Sequence, residues 1–209
     1  MHRSRMVEHQ IARRGIKNRK VLEAFRKVQR HRFVPERYRS QAYEDHPLPI
    51  GEGQTISQPY IVAYMTEALG LNPSDRVLEV GTGSGYQAAI LAELCDHVFS
   101  IEIVESLGKR AEALLKDLGY QNISIKIGDG YQGWEEHAPF DAIIVTCAPT
   151  DVPAPLKRQL KEGGLMVIPV GARFAQDLVL LRKQKGALQI ESSLPVRFVP
   201  MVNSSGQVY

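Results

Sequence analysis

The hydrophobic positions of this chain change period several times, and each change marks an element. Val21, Leu22, Phe25 and Val28 recur at helical spacing, with Arg19, Lys20, Arg26, Lys27 and Arg30 between them, which predicts an amphipathic helix. Residues 31–59 are interrupted by Pro35, Pro47, Pro49, Gly51, Gly53 and Pro59, so a structured loop region without long regular elements is expected there. Helical spacing returns through Ile61, Val62, Met65 and Leu69, and Gly70 followed by Asn72-Pro73 stops it.

From Arg76 the chain alternates between two periods. Val77–Val80, Val98–Ile101, Ile123–Ile127 and Phe140–Val145 read as short apolar strands, and Tyr86–Leu94 and Val104–Leu118 as the helices between them. Such spacing means βαβ units with right-handed crossovers, hence an α/β doubly wound fold with a parallel sheet covered on both faces. A helix near Pro155–Leu160, a turn at Gly163-Gly164 and a strand over Leu165–Val170 follow. Asp177–Lys183 and Leu188–Val199 have no helix between them and read as an antiparallel hairpin at the sheet edge.

Composition narrows the class. With 209 residues, 44% hydrophobic and 23% charged, the chain matches one soluble α/β domain, which excludes disordered, collagenous and fibrous readings. No window approaches 18 consecutive apolar residues, and the Arg- and Lys-rich first 30 residues lack the apolar core of a signal peptide, so a cytoplasmic location is expected. Cys95 and Cys147 form no C-x-x-C pattern and the six His show no ligand spacing, so two buried thiols and no metal are expected. Charge is uneven: residues 1–39 hold 13 Lys/Arg against 3 Asp/Glu, and residues 40–209 hold 13 against 20. A basic arm suits an anionic partner such as RNA, yet the helical spacing within it favours a solvated face packed on a body of opposite charge.

The strongest chemical signal is a strand-to-helix turn. Glu79-Val80-Gly81-Thr82-Gly83-Ser84-Gly85-Tyr86-Gln87 places three glycines at alternate positions just after the first strand, at the carboxyl edge where open α/β sheets bind ligands. A dinucleotide fingerprint requires glycine where Tyr86 stands, and no Gly-Lys-Ser/Thr follows, so phosphate binding is poorly served and a nucleoside without phosphates fits better. Glu102, with Ile103 after it, closes the second strand and is placed to accept from both ribose hydroxyls. Asp129, in Gly128-Asp129-Gly130 after the third strand, can accept from an adenine amine.

This combination resembles the class I S-adenosylmethionine-dependent methyltransferases, with Phe140–Thr146 as the fourth strand. The resemblance implies a Rossmann-like methyltransferase fold: a seven-stranded, mostly parallel sheet with one antiparallel strand, carrying here an N-terminal helical extension. It implies S-adenosyl-L-methionine as cofactor, S-adenosyl-L-homocysteine as product, and a cofactor site of Glu79, Gly81, Thr82, Gly83, Ser84, Gly85, Gln87, Glu102, Ile103, Asp129, Gly130 and Thr146. Arg32-Phe33-Val34-Pro35, Gly53–Pro59 and Val196-Arg197-Phe198-Val199-Pro200 are similar to segments of the protein-L-isoaspartate O-methyltransferase family, over about residues 7–202.

That family resemblance implies methyl transfer to the free α-carboxylate of L-isoaspartyl residues, or the side-chain carboxylate of D-aspartyl residues, in damaged proteins. The methyl ester then closes to a succinimide whose hydrolysis returns some normal aspartate. A carboxylate is already ionised at neutral pH, so no strong base is needed. The resemblance points to Ser57 as the hydroxyl that orients it, and to Thr55, Ile56, Gln58, Val196 and Arg197 as a groove for extended peptide. His31 is expected to be structural, Asn203–Tyr209 a fraying polar tail, and residues 1–209 one domain, acting as a monomer with no membrane or nucleic-acid partner. Against an RNA methyltransferase, Thr146-Cys147-Ala148-Pro149 stands where a base-flipping Asn-Pro-Pro-Tyr motif is looked for. Against a silent binding module, Gly81, Gly83, Glu102 and Asp129 are all present.

Overall fold

Five mostly apolar strands pair in parallel, and helices or turns cover both faces of the sheet they form. The computed structural model describes residues 2–172 and 175–209. Its helices are α1 (His2–Arg5, continued as a wider turn over Met6–Ile11), α2 (Arg19–Lys27), α3 (Pro59–Ala68), α4 (Tyr86–Ala92), α5 (Glu105–Asp117) and α6 (Ala154–Gln159). Its strands are β1 (Leu48–Gly51), β2 (Gln54–Ile56), β3 (Arg76–Val80), β4 (His97–Glu102), β5 (Ile123–Ile127), β6 (Phe140–Val145), β7 (Leu160–Ala172), β8 (Ala175–Gln184) and β9 (Ala187–Val196).

The main sheet has the order β5-β4-β3-β6-β7-β8-β9, and only β8 runs against the rest. The topology reverses at β3, which lies between β4 and β6, and a ligand crevice opens beyond the strand tips at such a switch point. Alternate strand residues divide the core. Val77, Val98, Ala142 and Ile144 pack with α2, α3, α4 and α5, while Leu78, Phe99, Ile143 and Val145 pack with Leu156 of α6 and with Trp134.

The basic N-terminal helix is amphipathic as its spacing predicts. Asn18 caps it by accepting from the Lys20 and Val21 amides, and Val21, Ala24 and Phe25 are buried. Charges of the helix and its flanks meet acids of the same fold: Lys27 of α2 lies 2.6 Å from Glu93, Arg14 before it is 2.6 Å from Asp45, and Arg32 after it is 2.8 Å from Asp117. The Cys95 and Cys147 thiols are both pushed up to about 12 by burial, so they stay protonated. His31 is held through Nδ1 by the Tyr43 hydroxyl at 2.7 Å, in keeping with its structural reading.

Three expectations need correction. Residues 31–59 contain a small antiparallel hairpin, β1 with β2, because Leu48, Ile50 and Ile56 alternate into the core on either side of the Gly51-Glu52-Gly53 turn. Gly163-Gly164 is no turn between elements but an irregularity inside β7, where pairing shifts from Phe140↔Leu160 to Ala142↔Leu165. The segment Asn203–Tyr209 does not fray. The Asn203 side chain accepts from the Ser205 and Gln207 amides, each at 3.0 Å, and this turn brings Val208 back beside Val202.

Ile144 is fully buried in the central strand β6. Ile144→Ala is expected to lower stability by about 2–5 kcal/mol through lost burial and the cavity left behind, as read from urea unfolding monitored by circular dichroism.

Candidate active site

The turn between β3 and α4 passes over the tips of two neighbouring strands, and hydrogen bonds from both sides hold it. Gly81, Gly83 and Gly85 have φ of 97°, 54° and 84°, a left-handed backbone that residues with a Cβ rarely adopt. On the β4 side the Ile101 carbonyl accepts from the Gly81 amide at 2.9 Å, and Glu102 Oε2 accepts from the Gly83 amide at 2.7 Å. On the β6 side the Thr146 hydroxyl donates to the Gly81 carbonyl at 2.7 Å, and a Cβ on Gly81 would collide with that hydroxyl. Thr146 thus braces the turn at the edge of the cleft it lines.

Glu102 does two structural jobs with one carboxylate. Besides Gly83, its Oε1 accepts from the Val104 amide at 2.9 Å, and it is only 5% exposed at the cleft. Burial pushes its carboxyl above the usual range while the Val104 and Gly83 amides pull it back. A carboxylate has about four acceptor positions, so lone pairs remain for two hydroxyls. Asp129, at the next strand end, caps the short turn Gly130–Gln132 by accepting from the Tyr131 amide at 3.0 Å. Ile103 and Gly130 line the cleft beside Glu102, while Asp129 stands just behind Gly130 and lines neither cleft.

Glu79 lies elsewhere. It is fully buried beneath the turn, opposite Ser100 in the parallel register of β3 and β4, and accepts from the Ser100 hydroxyl, which itself lies 2.5 Å from the Thr82 hydroxyl. Burial raises its carboxyl to about 8, Ser100 counteracts this, and the charge of Glu102 adds to it. The group is therefore mostly neutral at pH 7 and orders the floor of the turn.

Two adjoining clefts open over this turn. One, open to solvent, offers roughly 600 Å³ between Val80, Ile101, Glu102, Ile103, Gly130 and a wall of Val199–Val202, with no lysine or arginine among its described lining residues. The other, roughly 410 Å³, is bounded by Ile56, Ser57, Met65, Thr82, Ser84 and Gln87. Thr55, Gly81, Gly83 and Thr146 line both, so the clefts meet above the glycine turn. Gln87 is held by donating to the Thr66 hydroxyl at 2.9 Å. Gln58 sits just before α3 as its N-cap and lines neither cleft.

The Ser57 segment is pinned from beneath by a residue that the helical spacing places on a solvated basic face. Arg30 is fully buried, donating to the Ser57 carbonyl at 2.7 Å and the Ala42 carbonyl at 2.8 Å, with its guanidinium 4.9 Å from the Tyr86 ring centroid. Nothing in the helical spacing distinguishes Arg30 from its exposed neighbours. Val196 and Arg197 also lie outside the clefts: Val196 ends β9 opposite Gln176, and the cleft wall begins two residues beyond Arg197. Buried Gln176 sets that wall by accepting from the Phe198 amide at 2.6 Å, and Ala148 pairs with it through Val199 and Met201, at 2.8 Å each. The proline at 200, bridged to Ala148 beyond the end of β9, was the available signal for this wall.

A seven-stranded sheet with one reversed strand, a glycine turn at its switch point and acids on the next two strand tips defines the class of Rossmann-like methyltransferases. Residues 1–206 match the family model of protein-L-isoaspartate(D-aspartate) O-methyltransferase. Relatives bearing that enzyme's name include one from Opitutus terrae, 60% identical and covering 95% of this chain and 85% of its own length. One from Gloeobacter violaceus is 52% identical over 97% and 99%. A solved protein-L-isoaspartate O-methyltransferase superposes with a TM-score of 0.89 at 31% identity, covering 98% of this chain and 67% of its own. Another, from Plasmodium falciparum in complex with S-adenosyl-L-homocysteine, gives 0.81 at 28%, covering 96% and 97%. The chain belongs to the protein-L-isoaspartate(D-aspartate) O-methyltransferase family.

Two outcomes follow from the acids. Folding raises the Glu79 carboxyl from 4.5 to about 8, so its stabilising contribution is complete below pH 4.5 and is lost as pH rises through 8. Glu79→Gln removes that dependence, and the melting temperature of the variant minus that of the parent is expected to increase between pH 5 and 8. Glu102→Ala is expected to weaken S-adenosyl-L-homocysteine binding by about 1–3 kcal/mol in titration calorimetry, through lost hydroxyl contacts and a loosened Gly83.

Proposed function

We propose that this chain transfers a methyl group from S-adenosyl-L-methionine to the free α-carboxylate of L-isoaspartyl residues, or the side-chain carboxylate of D-aspartyl residues, in damaged proteins. The observation that carries the reading is the meeting of the two clefts: Thr55, Gly81, Gly83 and Thr146 face both the acid-lined cleft and the one holding Ser57. The first suits a nucleoside without phosphates, since Glu102 stands at its edge and no basic side chain is among its described lining residues. In this reading Glu102 takes the ribose hydroxyls, Asp129 the adenine amine, and Val80, Ile101 and Ile103 the apolar faces.

When bound, S-adenosyl-L-methionine supplies a sulfonium methyl group that moves to a carboxylate oxygen as the sulfur–carbon bond breaks, with no proton transferred. The protein's task is therefore alignment and exclusion of water. The Ser57 hydroxyl orients the carboxylate, and Arg30 holds the Ser57 carbonyl so that this hydroxyl stays placed. Thr55 and Ile56 shape the groove with Ser57, and Gln58 sets the start of α3 behind it. Val196 and Arg197 take an extended peptide; β9 is the outermost strand, which supports pairing along its open edge. Succinimide closure of the ester needs no group of the protein.

The chain is read as a cytoplasmic monomer without a nucleic-acid partner. Large hydrophobics exposed among the described residues are few, Ile127, Ile190 and Val208. Charges of the basic arm are engaged by Glu93, Asp45 and Asp117. Among the described residues no helix is long and apolar enough to cross a membrane.

Labelled methyl transfer to two peptides identical except for L-isoaspartate or L-aspartate, with bulk RNA as third acceptor, tests the reading. Base-labile label on the isoaspartyl peptide alone is expected, and label on RNA alone would sink it. Ser57→Ala is expected to lower turnover about tenfold or more while leaving cofactor affinity unchanged, and a parental rate would remove Ser57 from the site.

A further inference from the structure

The folded segment after Val202 delivers one side chain to Asp129, the residue just before Gly130 of the cleft lining. The Tyr209 amide donates to the Met201 carbonyl at 3.2 Å, and its own carbonyl accepts from the Thr150 amide at 3.0 Å, so both ends of its main chain are anchored beside the cleft wall. Its ring stacks on Tyr131, with centroids 4.1 Å apart and planes inclined by 20°, and its hydroxyl donates to Asp129 Oδ2. Asp129 is therefore gripped twice, through Oδ1 by the Tyr131 amide and through Oδ2 by Tyr209.

A carboxylate on a one-carbon stem swings about two torsions, and only some rotamers present an oxygen to a base in the neighbouring cleft. Two donors, one on each oxygen, fix both torsions and still leave lone pairs free for a further donor. The phenol is raised to about 12 chiefly by its bond to the carboxylate, so it keeps its proton and donates throughout the neutral range.

We propose that Tyr209 is a positioning residue for adenine recognition, holding Asp129 so that its carboxylate meets the exocyclic amine of the bound nucleoside. This rests on the reading of Asp129 as the adenine acid. It also makes the segment 203–209 a support of the cofactor site, through Tyr209 and Asp129.

The test compares binding of S-adenosyl-L-homocysteine with binding of its 6-oxo analogue, S-inosyl-L-homocysteine, by titration calorimetry on the full chain. The analogue carries a carbonyl oxygen in place of the amine and a proton on N1, so the ratio of the two affinities reports recognition of that edge of the base. Tyr209→Phe keeps the stacked ring and removes the hydroxyl. It is expected to weaken the adenosyl ligand about three- to tenfold and leave the inosyl ligand unchanged, at an unaltered melting temperature.

Equal loss for both ligands would mean simple packing, no loss would mean an idle hydroxyl, and a gain for the adenosyl ligand would mean that the phenol competes with the amine; each overturns the proposal. Asp129→Asn separates the two levels. If it fails to shrink the preference for the adenosyl ligand, the adenine reading of Asp129 falls and the role of Tyr209 with it. If it shrinks the preference and Tyr209→Phe does not, Tyr209 alone is rejected.

Discussion

The architecture depends on how a bare stretch of backbone is held open at the sheet's switch point. Between β3 and α4 the chain runs through three left-handed glycines, a conformation that has little intrinsic preference and would be mobile alone. Glu102 supplies much of the restraint, because one carboxylate ties the Gly83 amide to the Val104 amide and so locks the turn, the tip of β4 and the start of α5 into one unit. Charge-assisted bonds to backbone amides are among the stronger hydrogen bonds, and here they are largely shielded from water. The cost is a carboxylate whose charged form is disfavoured by burial and offset only by those amides.

A second acid shows the same economy with the opposite outcome. Glu79 lies under the turn with a single side-chain donor, Ser100, and burial keeps it mostly protonated at neutral pH. Glu102 meets the cleft and keeps amide partners; Glu79 does not meet it and is neutralised. Two glutamates on neighbouring strands, close enough for the charge of Glu102 to raise the Glu79 carboxyl, thus avoid placing two full charges beneath one loop. This leaves Glu102 as the acid at the cleft edge.

The substrate side is organised by a buried cation instead. Arg30 reaches from the basic N-terminal arm to the carbonyls of Ala42 and Ser57, so the helical extension and the hairpin segment become a single support for the groove. A planar guanidinium can hold two carbonyls from different segments at once, which an ammonium on a flexible stem does less rigidly. Part of the charge of the basic arm is engaged within the fold, Arg30 on carbonyls and Lys27 and Arg14 on Glu93 and Asp45, and the rest forms the solvated face that its helical spacing predicts.

Much was determined by local sequence. The apolar runs Val77–Val80, Val98–Ile101 and Phe140–Val145, the helices between them, the glycine turn and the acids on successive strand tips all follow from period and backbone chemistry that act within a few residues. The edge hairpin was readable for the same reason. What local pattern could not carry were contacts between distant segments. Arg30 has the same sequence surroundings as exposed arginines, yet tertiary packing puts it under Ser57. Val196 and Arg197 are adjacent to the cleft wall in sequence, but Gln176 and Ala148 decide that the wall is Val199–Val202. The polar segment after Val202 reads as a loose end until the Asn203 turn brings Tyr209 across 80 residues to Asp129. Periodicity reports which side of an element is buried; only the folded chain decides what that side, or a polar group beyond it, finally meets.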